Sequence, residues 1–183
     1  MSLQSLLRSG AFALLTAVVW PLAAQTPAPV PAPSETQEIE KLARERQFDE
    51  ALKRADTALA KNPRNVQLRF LRAVMLGESG RAAEATAAFE AMTQEFPELP
   101  EPYNNLAVLH AAAGRYDSAR ALLLRAIDVA PNYLTARENL GDLHVAMAAE
   151  IYAAALKLDP GNAALKAKLA AAREASARLR AGR

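Results

Sequence analysis

The sequence predicts an all-α fold, a superhelix (solenoid) of stacked helix pairs closed by a C-terminal capping helix. Prolines recur at equal intervals at Pro63, Pro97 and Pro131, and a sustained period of about 34 residues indicates a repeat array. Between these prolines the apolar residues recur at steps of three and four, which is the spacing of amphipathic helices. Glycine is rare, with seven residues in the chain, so long helices are favoured.

Composition narrows the class of protein further. Apolar residues make up 51% and charged residues 23% of the chain, as in ordinary folded proteins. The 22 basic and 20 acidic residues give a net charge of +2, which is too small to predict a nucleic-acid partner or a polybasic membrane anchor. Cysteine is absent, which excludes disulfides, thiolate catalysis and cysteine-ligated zinc.

Residues 1–24 have the pattern of a secretory signal peptide. Arg8 gives a weak basic start, an apolar run covers residues 11–20, and small residues precede an expected cut after Ala24. The alternative is an uncleaved anchor, but the run is shorter than the roughly 20 residues that span a bilayer. We therefore expect a periplasmic protein with no stable membrane insertion after cleavage. Residues 25–34 are rich in Pro and Ala and predict an extended linker.

The array is predicted to span residues 35–162 in four units, at about 35–65, 66–99, 100–133 and 134–162. Glycines at Gly80 and Gly114 mark the turn inside a unit, because glycine adopts the positive φ that ends a helix. Phe48 and Tyr116 begin second helices. Small or slim residues recur at two positions of each second helix, where helices approach closely: Ala51, Ala85, Ala119 and Ala58, Met92, Ala126.

These landmarks resemble the tetratricopeptide repeat (TPR) family, whose unit of about 34 residues has an aromatic, a Leu-Gly pair, a turn glycine, a second aromatic, two alanines and a terminal proline. Unit three, from Pro100 to Asn132, matches at almost every landmark. Unit one is degenerate, because Thr36, Glu38 and Ile39 replace the expected aromatic, Leu and Gly.

The fourth unit departs from the period, since the interval from Pro131 to Pro160 is shorter than the two intervals before it. No Gly or Pro lies between Gly141 and Pro160, so we expect one continuous helix over about 134–158 in place of a hairpin. The alternative is a sharp kink near residues 145–148. The predicted face of this helix, which would leave apolar surface for a partner, comprises Leu140, Leu143, Met147, Ile151, Ala154 and Leu158.

Residues 163–183 are predicted to form the C-terminal capping helix and tail. Its inner stripe would comprise Leu165, Leu169, Ala172, Ser176 and Leu179, and five basic residues surround that stripe. The basic residues indicate either a docking surface or a solvated cap. The cap is favoured because repeat arrays need a polar terminal element.

No catalytic, metal-binding or cofactor site is predicted. His110 and His144 occupy the same position in successive units, but two histidines without further ligands at a suitable spacing do not make a typical metal site. We expect both to replace a bulky residue packed between first helices. We therefore predict that the protein is not an enzyme and needs no cofactor.

The resemblance implies that first helices line a concave groove, built here by outward positions of residues 66–79, 101–113 and 135–146. The predicted groove residues are Phe70, Val74, Asn104, Asn105, Val108, Glu138, Asn139 and Asp142. Asn105 and Asn139 occupy equivalent positions, as do the peptide-holding asparagines in the TPR region of O-GlcNAc transferase. They indicate either a ladder for a peptide backbone or residues that cap local structure.

The predicted function is a periplasmic protein–protein interaction scaffold that binds an extended peptide or a helix of a cell-envelope partner in this groove. The alternative is an accessory or chaperone-like protein that docks through its irregular C-terminal helices. Thr36, Glu40 and Leu71 stand where a dicarboxylate clamp would need Lys or Arg, so a C-terminal carboxylate is not the expected ligand. Homo-oligomerisation is left open.

Overall fold

A computed structural model describes residues 34–181, and within this range all regular structure is helical. The eight helices in chain order are α1 (Glu35–Arg44), α2 (Phe48–Lys61), α3 (Val66–Glu78), α4 (Ala82–Glu95), α5 (Pro100–Ala112), α6 (Tyr116–Val129), α7 (Leu134–Leu158) and α8 (Ala163–Ala181). Each helix packs against its neighbours in sequence, and α1, α3, α5 and α7 also contact one another in turn. The predicted all-α superhelix is confirmed.

The predicted signal peptide and almost all of the predicted linker lie outside the described residues. The last linker residue, Ser34, is the N-cap of α1. Its hydroxyl accepts a hydrogen bond from the backbone N–H of Gln37, and the side chain of Gln37 accepts one from the N–H of Ser34. This capping box satisfies free N–H groups of the first turn, and α1 begins at the next residue, Glu35. Within the described range no helix is long and apolar enough to cross a bilayer.

Three turns inside the helix pairs share one geometry. Arg46, Gly80 and Gly114 have φ values of 59°, 83° and 73°. In each turn the next residue donates its N–H to a carbonyl five residues earlier, at 2.9 Å. This left-handed closure satisfies a free carbonyl at the end of the first helix. It explains the glycine at two of the three positions, since glycine has no Cβ to strain there.

Replacing glycine by alanine should have opposite effects at Gly114 and Gly141. Gly114→Ala is expected to lower the free energy of unfolding by about 1 kcal/mol, because its positive φ strains a residue with a Cβ. Gly141→Ala is expected to raise it by about 0.5–1 kcal/mol, because Gly141 lies inside α7 with open space where a Cβ would stand. Urea unfolding followed by circular dichroism measures both. If both substitutions changed the free energy of unfolding in the same direction, a positive φ at Gly114 would be contradicted.

The core is a chain of three clusters that follow one another along the array. The predicted alanine positions lie at its centre, and Ala51, Ala85 and Ala119 are fully buried. Phe70 packs edge-on against Phe89 with ring centroids 5.7 Å apart. Every cluster draws residues from more than one helix pair, so no pair buries its apolar face alone.

The fourth unit is one unbroken helix of 25 residues, as the lack of a breaker predicted. The loop that follows it repeats the hydrogen bonds of the loops after α2, α4 and α6: Asp159 donates to Ala155, and Asn162 donates to Asp159. The end of α7 is therefore equivalent to the end of a second helix, and its start follows the loop that precedes a first helix. The helix thus joins both members of a pair, and the turn between them is missing.

The second half of α7 and the whole of α8 form a unit that we call the C-terminal hairpin, residues 147–181. Of the described helices, α8 contacts α7 alone. Asn162 caps α8 by accepting the N–H of Leu165 at 3.0 Å, and Leu169 is the buried anchor of its inner stripe. Leu179, which was predicted to face inward, is exposed because it lies in the last turns of α8.

Candidate binding groove

The first helices of the array form one surface because each contacts the next first helix. Three clefts lie along it, one between α1 and α3, one where α3 meets the start of α5, and one between α5 and α7. The predicted groove residues Val74, Phe70 and Val108 each line one of them. We call this surface the groove.

The cleft between α5 and α7 has a volume of about 290 Å³. Three of the proposed groove residues, Val108, Asn139 and Asp142, line it, and Val108 is 40% exposed. Four alanines complete its walls, and larger side chains from α6 and α7 form the rest: Ala107, Ala111, Ala112, Ala146, Tyr116, Leu123 and Leu143. The result is a shallow, largely apolar depression with an amide and a carboxylate among its lining groups.

The lining alanines were missed by sequence reasoning, which looked for large or polar groove residues. A signal was present, because Ala112 and Ala146 lie one repeat period apart and hold the same position in successive units. Small side chains at such positions leave room between first helices. They open the cleft that Val108 borders.

Asn104 differs from its predicted outward position. It is buried, and its side-chain oxygen accepts a hydrogen bond from Nδ2 of Asn139 at 2.8 Å. The reason is the close approach of α5 and α7, which encloses the side chain and leaves its oxygen to be satisfied within the protein. Asn104 therefore helps to hold Asn139 in place and presents no surface to a ligand.

The two asparagines at equivalent positions make different contacts. Asn105 donates its side-chain N–H to the carbonyl of Glu101, one turn earlier in the same helix, at 2.9 Å. Asn139 instead donates across to Asn104. The Asn105 contact is therefore local, as expected if this asparagine caps local structure rather than holds a peptide backbone. Glu138, the remaining predicted residue, is exposed on α7.

The two N-terminal clefts differ in character. The cleft between α1 and α3 has a volume of about 510 Å³ and mixes apolar residues such as Leu71 and Val74 with the charged residues Glu40, Arg44 and Glu78. The cleft at the start of α5 has a volume of about 430 Å³ and is largely apolar, with Phe70 among its lining residues. A ligand that follows the whole groove would meet apolar surface in all three clefts.

A further depression of about 540 Å³ lies between α2, α3 and α4 and holds three arginines. Arg69 donates two hydrogen bonds to Glu95, at 2.6 and 2.7 Å, and the bond from Arg69 lowers the pKa of the Glu95 carboxyl below its usual value. Arg72 pairs with Asp56 at 2.5 Å. The first pair joins the two helices of the second unit and the second pair joins the first and second units, so these arginines take part in helix packing.

The two histidines have different environments. His110 is half-buried, its Nδ1 has no hydrogen-bond partner among residues 34–181, and desolvation by burial lowers its pKa, with Arg115 adding to the effect. His144 is exposed, so the expectation that both are packed between first helices is wrong for His144. Over the described range, no three His, Cys, Asp or Glu side chains are grouped to hold a metal ion.

Two family profiles, both described as tetratricopeptide repeat, match residues 38–100 and 76–140. The TPR repeat-containing protein YvcD of Bacillus subtilis (strain 168) is 49% identical over 49 residues, which are 27% of this chain and 10% of YvcD. This chain therefore spans about a tenth of that protein's length.

Two solved structures are similar in fold. YrrB, described as a TPR protein with an unusual peptide-binding site, superimposes with a TM-score of 0.54 and 25% identity, covering 57% of this chain and 54% of YrrB. The first TPR of Spaghetti (RPAP3), bound to the HSP90 peptide SRMEEVD, has a TM-score of 0.57 and 18% identity, covering 62% of this chain and 90% of that chain. At 18% identity, the similarity to the first TPR of Spaghetti concerns the fold alone.

Proposed function

This chain is a tetratricopeptide repeat protein, and from that premise we propose that it is a periplasmic scaffold that holds an extended peptide or a helix of a cell-envelope protein in its groove. TPR proteins are generally non-catalytic scaffolds, and protein–protein interaction is the function that the fold suggests. YrrB and the first TPR of Spaghetti are both associated with peptide binding. The periplasmic location and the partner class rest on the signal-peptide pattern of residues 1–24.

The observation that carries the proposal is the cleft between α5 and α7. Its volume of about 290 Å³ is small beside the pockets that hold whole small molecules. A shallow cleft of this size suits one or two side chains of a polypeptide. Val108 offers exposed apolar surface there, and Asn139 and Asp142 supply polar groups beside it.

The surrounding clefts support a ligand that continues along the groove. Each of the three clefts has apolar lining, with Val74, Phe70 and Val108 among its residues, which favours a segment with several spaced apolar side chains. Such a segment is either extended or helical, and both are recognised modes of peptide binding. The groove is built on packed helices, so little ordering of the receptor is needed on binding.

The proposal is tested by placing a photo-crosslinking amino acid at position 108 in the source cells, with position 124 as the control. Leu124 is 47% exposed, comparable to Val108, but it lies on the second helix α6. We expect a crosslinked adduct from position 108 and none from position 124. The adduct should be recovered in the periplasmic fraction, and the scaffold protein in it should begin at Gln25. Mass spectrometry identifies the partner, the crosslinked segment and the mature N-terminus.

The crosslinked segment then permits a binding measurement with purified proteins. Val108→Asp is expected to weaken binding at least tenfold, because it puts a charge into an apolar contact, whereas Leu124→Asp should change affinity by less than about twofold. Tenfold corresponds to about 1.4 kcal/mol of binding free energy. Equal adducts from positions 108 and 124, or an unchanged affinity of the Val108→Asp variant, would disprove the groove as the binding site.

A further inference from the structure

The charged residues that line the groove differ from one cleft to the next. Two arginines and two glutamates line the cleft between α1 and α3, so its charges balance. The other two clefts have acidic residues alone among their charged lining groups in the described range, Glu101 at the start of α5 and Asp142 between α5 and α7. Each carboxylate lies beside apolar lining, which includes Phe70 in the first of these clefts and Val108 in the second. From α3 to α7 the groove therefore combines apolar surface with negative charge.

The basic side chains of the same part of the array make contacts elsewhere. The Lys and Arg residues of α3, α5 and residues 134–147 are Arg69, Arg72 and Arg137. The two arginines of α3 form ion pairs with carboxylates of α4 and α2. Arg137 donates two hydrogen bonds to the carbonyl of Pro131, at 3.0 and 2.8 Å. None of the three lines a cleft of the groove, so the acidic character of the two clefts is kept.

The polar groups of the cleft between α5 and α7 favour an extended ligand over a helical one. Asn139 and Asp142 lie three residues apart on one face of α7 and line the cleft together with Val108. An extended segment has backbone N–H and C=O groups that an amide and a carboxylate can bond. A helix uses those groups for its own hydrogen bonds. An extended backbone therefore fits this lining better.

The distance between first helices sets the spacing of apolar side chains on such a segment. Packed helices lie about 8–10 Å apart, and the three clefts follow one another between successive first helices. An extended chain advances about 3.3 Å per residue, so an apolar side chain at every third residue would reach successive clefts. The residues between them are left for Lys or Arg, whose long stems can lie on apolar surface while the charged end reaches a carboxylate.

We propose that the groove binds an extended segment of a partner protein with a large apolar side chain at about every third residue and with Lys or Arg between them. The inference rests on the proposed function, because it names the chemistry of the ligand held in the same groove. Complementary charge across an interface selects the partner, so acidic segments are rejected.

The test uses three fluorescein-labelled peptides of about twelve residues, which span roughly 40 Å when extended. They repeat Leu-Lys-Ser, Leu-Gln-Ser or Leu-Glu-Ser and differ only in charge. Fluorescence anisotropy with the full chain is expected to show that the Lys peptide binds about tenfold more tightly than the Gln peptide, and that the Glu peptide binds more weakly than both. Added salt should weaken binding of the Lys peptide the most, because it screens exposed charges.

Charge reversal in the two acidic clefts is the decisive variant. Glu101→Lys combined with Asp142→Lys should make the Glu peptide the tighter ligand. The matched control is Glu90→Lys combined with Asp128→Lys, which changes the net charge by the same amount at exposed positions of the second helices α4 and α6. This control should keep the preference for the Lys peptide. The milder pair Glu101→Gln and Asp142→Asn should bring the Lys and Gln peptides within about twofold of each other, and circular dichroism verifies the helix content of every variant.

Equal affinity for the three peptides, or a preference for Lys that survives charge reversal in the clefts, would overturn the proposal. An equal effect of the control pair would also overturn it, because net charge rather than the groove would then select the peptide. Self-association of the chain that the cleft variant abolishes would assign the groove to a second copy and overturn the separate partner.

Failure of this inference differs from failure of the proposed function. If the segment crosslinked to position 108 lacks Lys and Arg, the basic ligand is disproved and the groove remains the binding site. If positions 108 and 124 give equal adducts, the groove itself is disproved, and the basic ligand falls with it.

Discussion

Leu123→Ala is expected to lower the free energy of unfolding by about 2–5 kcal/mol, the range for removing a buried leucine side chain. Leu123 is 2% exposed and lies in the cluster that joins α5, α6 and α7. Its truncation leaves a cavity between two units, where the packing of one helix pair depends on the next. Since whole domains have about 5–15 kcal/mol of stability, the change should be plain in a urea unfolding curve followed by circular dichroism.

The neighbouring residue provides the control for this substitution. Leu124→Ala removes the same atoms from the next position of α6, where 47% of the residue is exposed. We expect that variant to lose less than about 1 kcal/mol, because little of the side chain leaves an apolar environment. If the two variants lost comparable amounts of unfolding free energy, α6 would have to be rotated about its axis relative to this structure.

Ala148→Pro is expected to cost about 3 kcal/mol or more. Ala148 lies one repeat period after Gly114, so it stands where a regular unit would have its turn glycine, but it lies in the interior of α7. Proline there removes the helical hydrogen bond to the carbonyl of His144 and its ring clashes with that carbonyl. Urea unfolding measures the cost, and hydrogen exchange should show faster exchange in residues 147–158.

The matched substitution is Ala163→Pro. Ala163 is the first residue of α8, and Asn162 caps that helix. Proline is well tolerated at this position because its missing N–H has no helical partner there, so we expect a change below about 0.5 kcal/mol. A tolerated proline at position 148 would show that α7 is a kinked pair rather than one helix.

The candidate groove could be predicted in part from the sequence. The repeat period places Phe70, Val74 and Val108 on first helices, and each lines a cleft of the groove. The repeat period could not predict which of these residues are buried, because Asn104 and Val108 both lie on the first helix α5 yet differ in exposure. The distance between α5 and α7 decides which of them is enclosed, and that distance depends on residues from two units.

The sequence by itself determined the helices and the irregular fourth unit. Proline, glycine and apolar spacing act within a few residues of the chain, so the repeat period, the turns at Gly80 and Gly114 and the unbroken α7 follow from local rules. These features are present in the structure at the predicted positions.

Only the tertiary structure decided which apolar residues are covered. Met147 and Ile151 occupy the same stripe of one helix and are indistinguishable by periodicity, yet Met147 packs on the array and Ile151 does not. The difference arises because α6 is shorter than α7 and α8 packs on another face. Burial depends on the lengths and positions of neighbouring helices, whereas periodicity reports only which residues share a face.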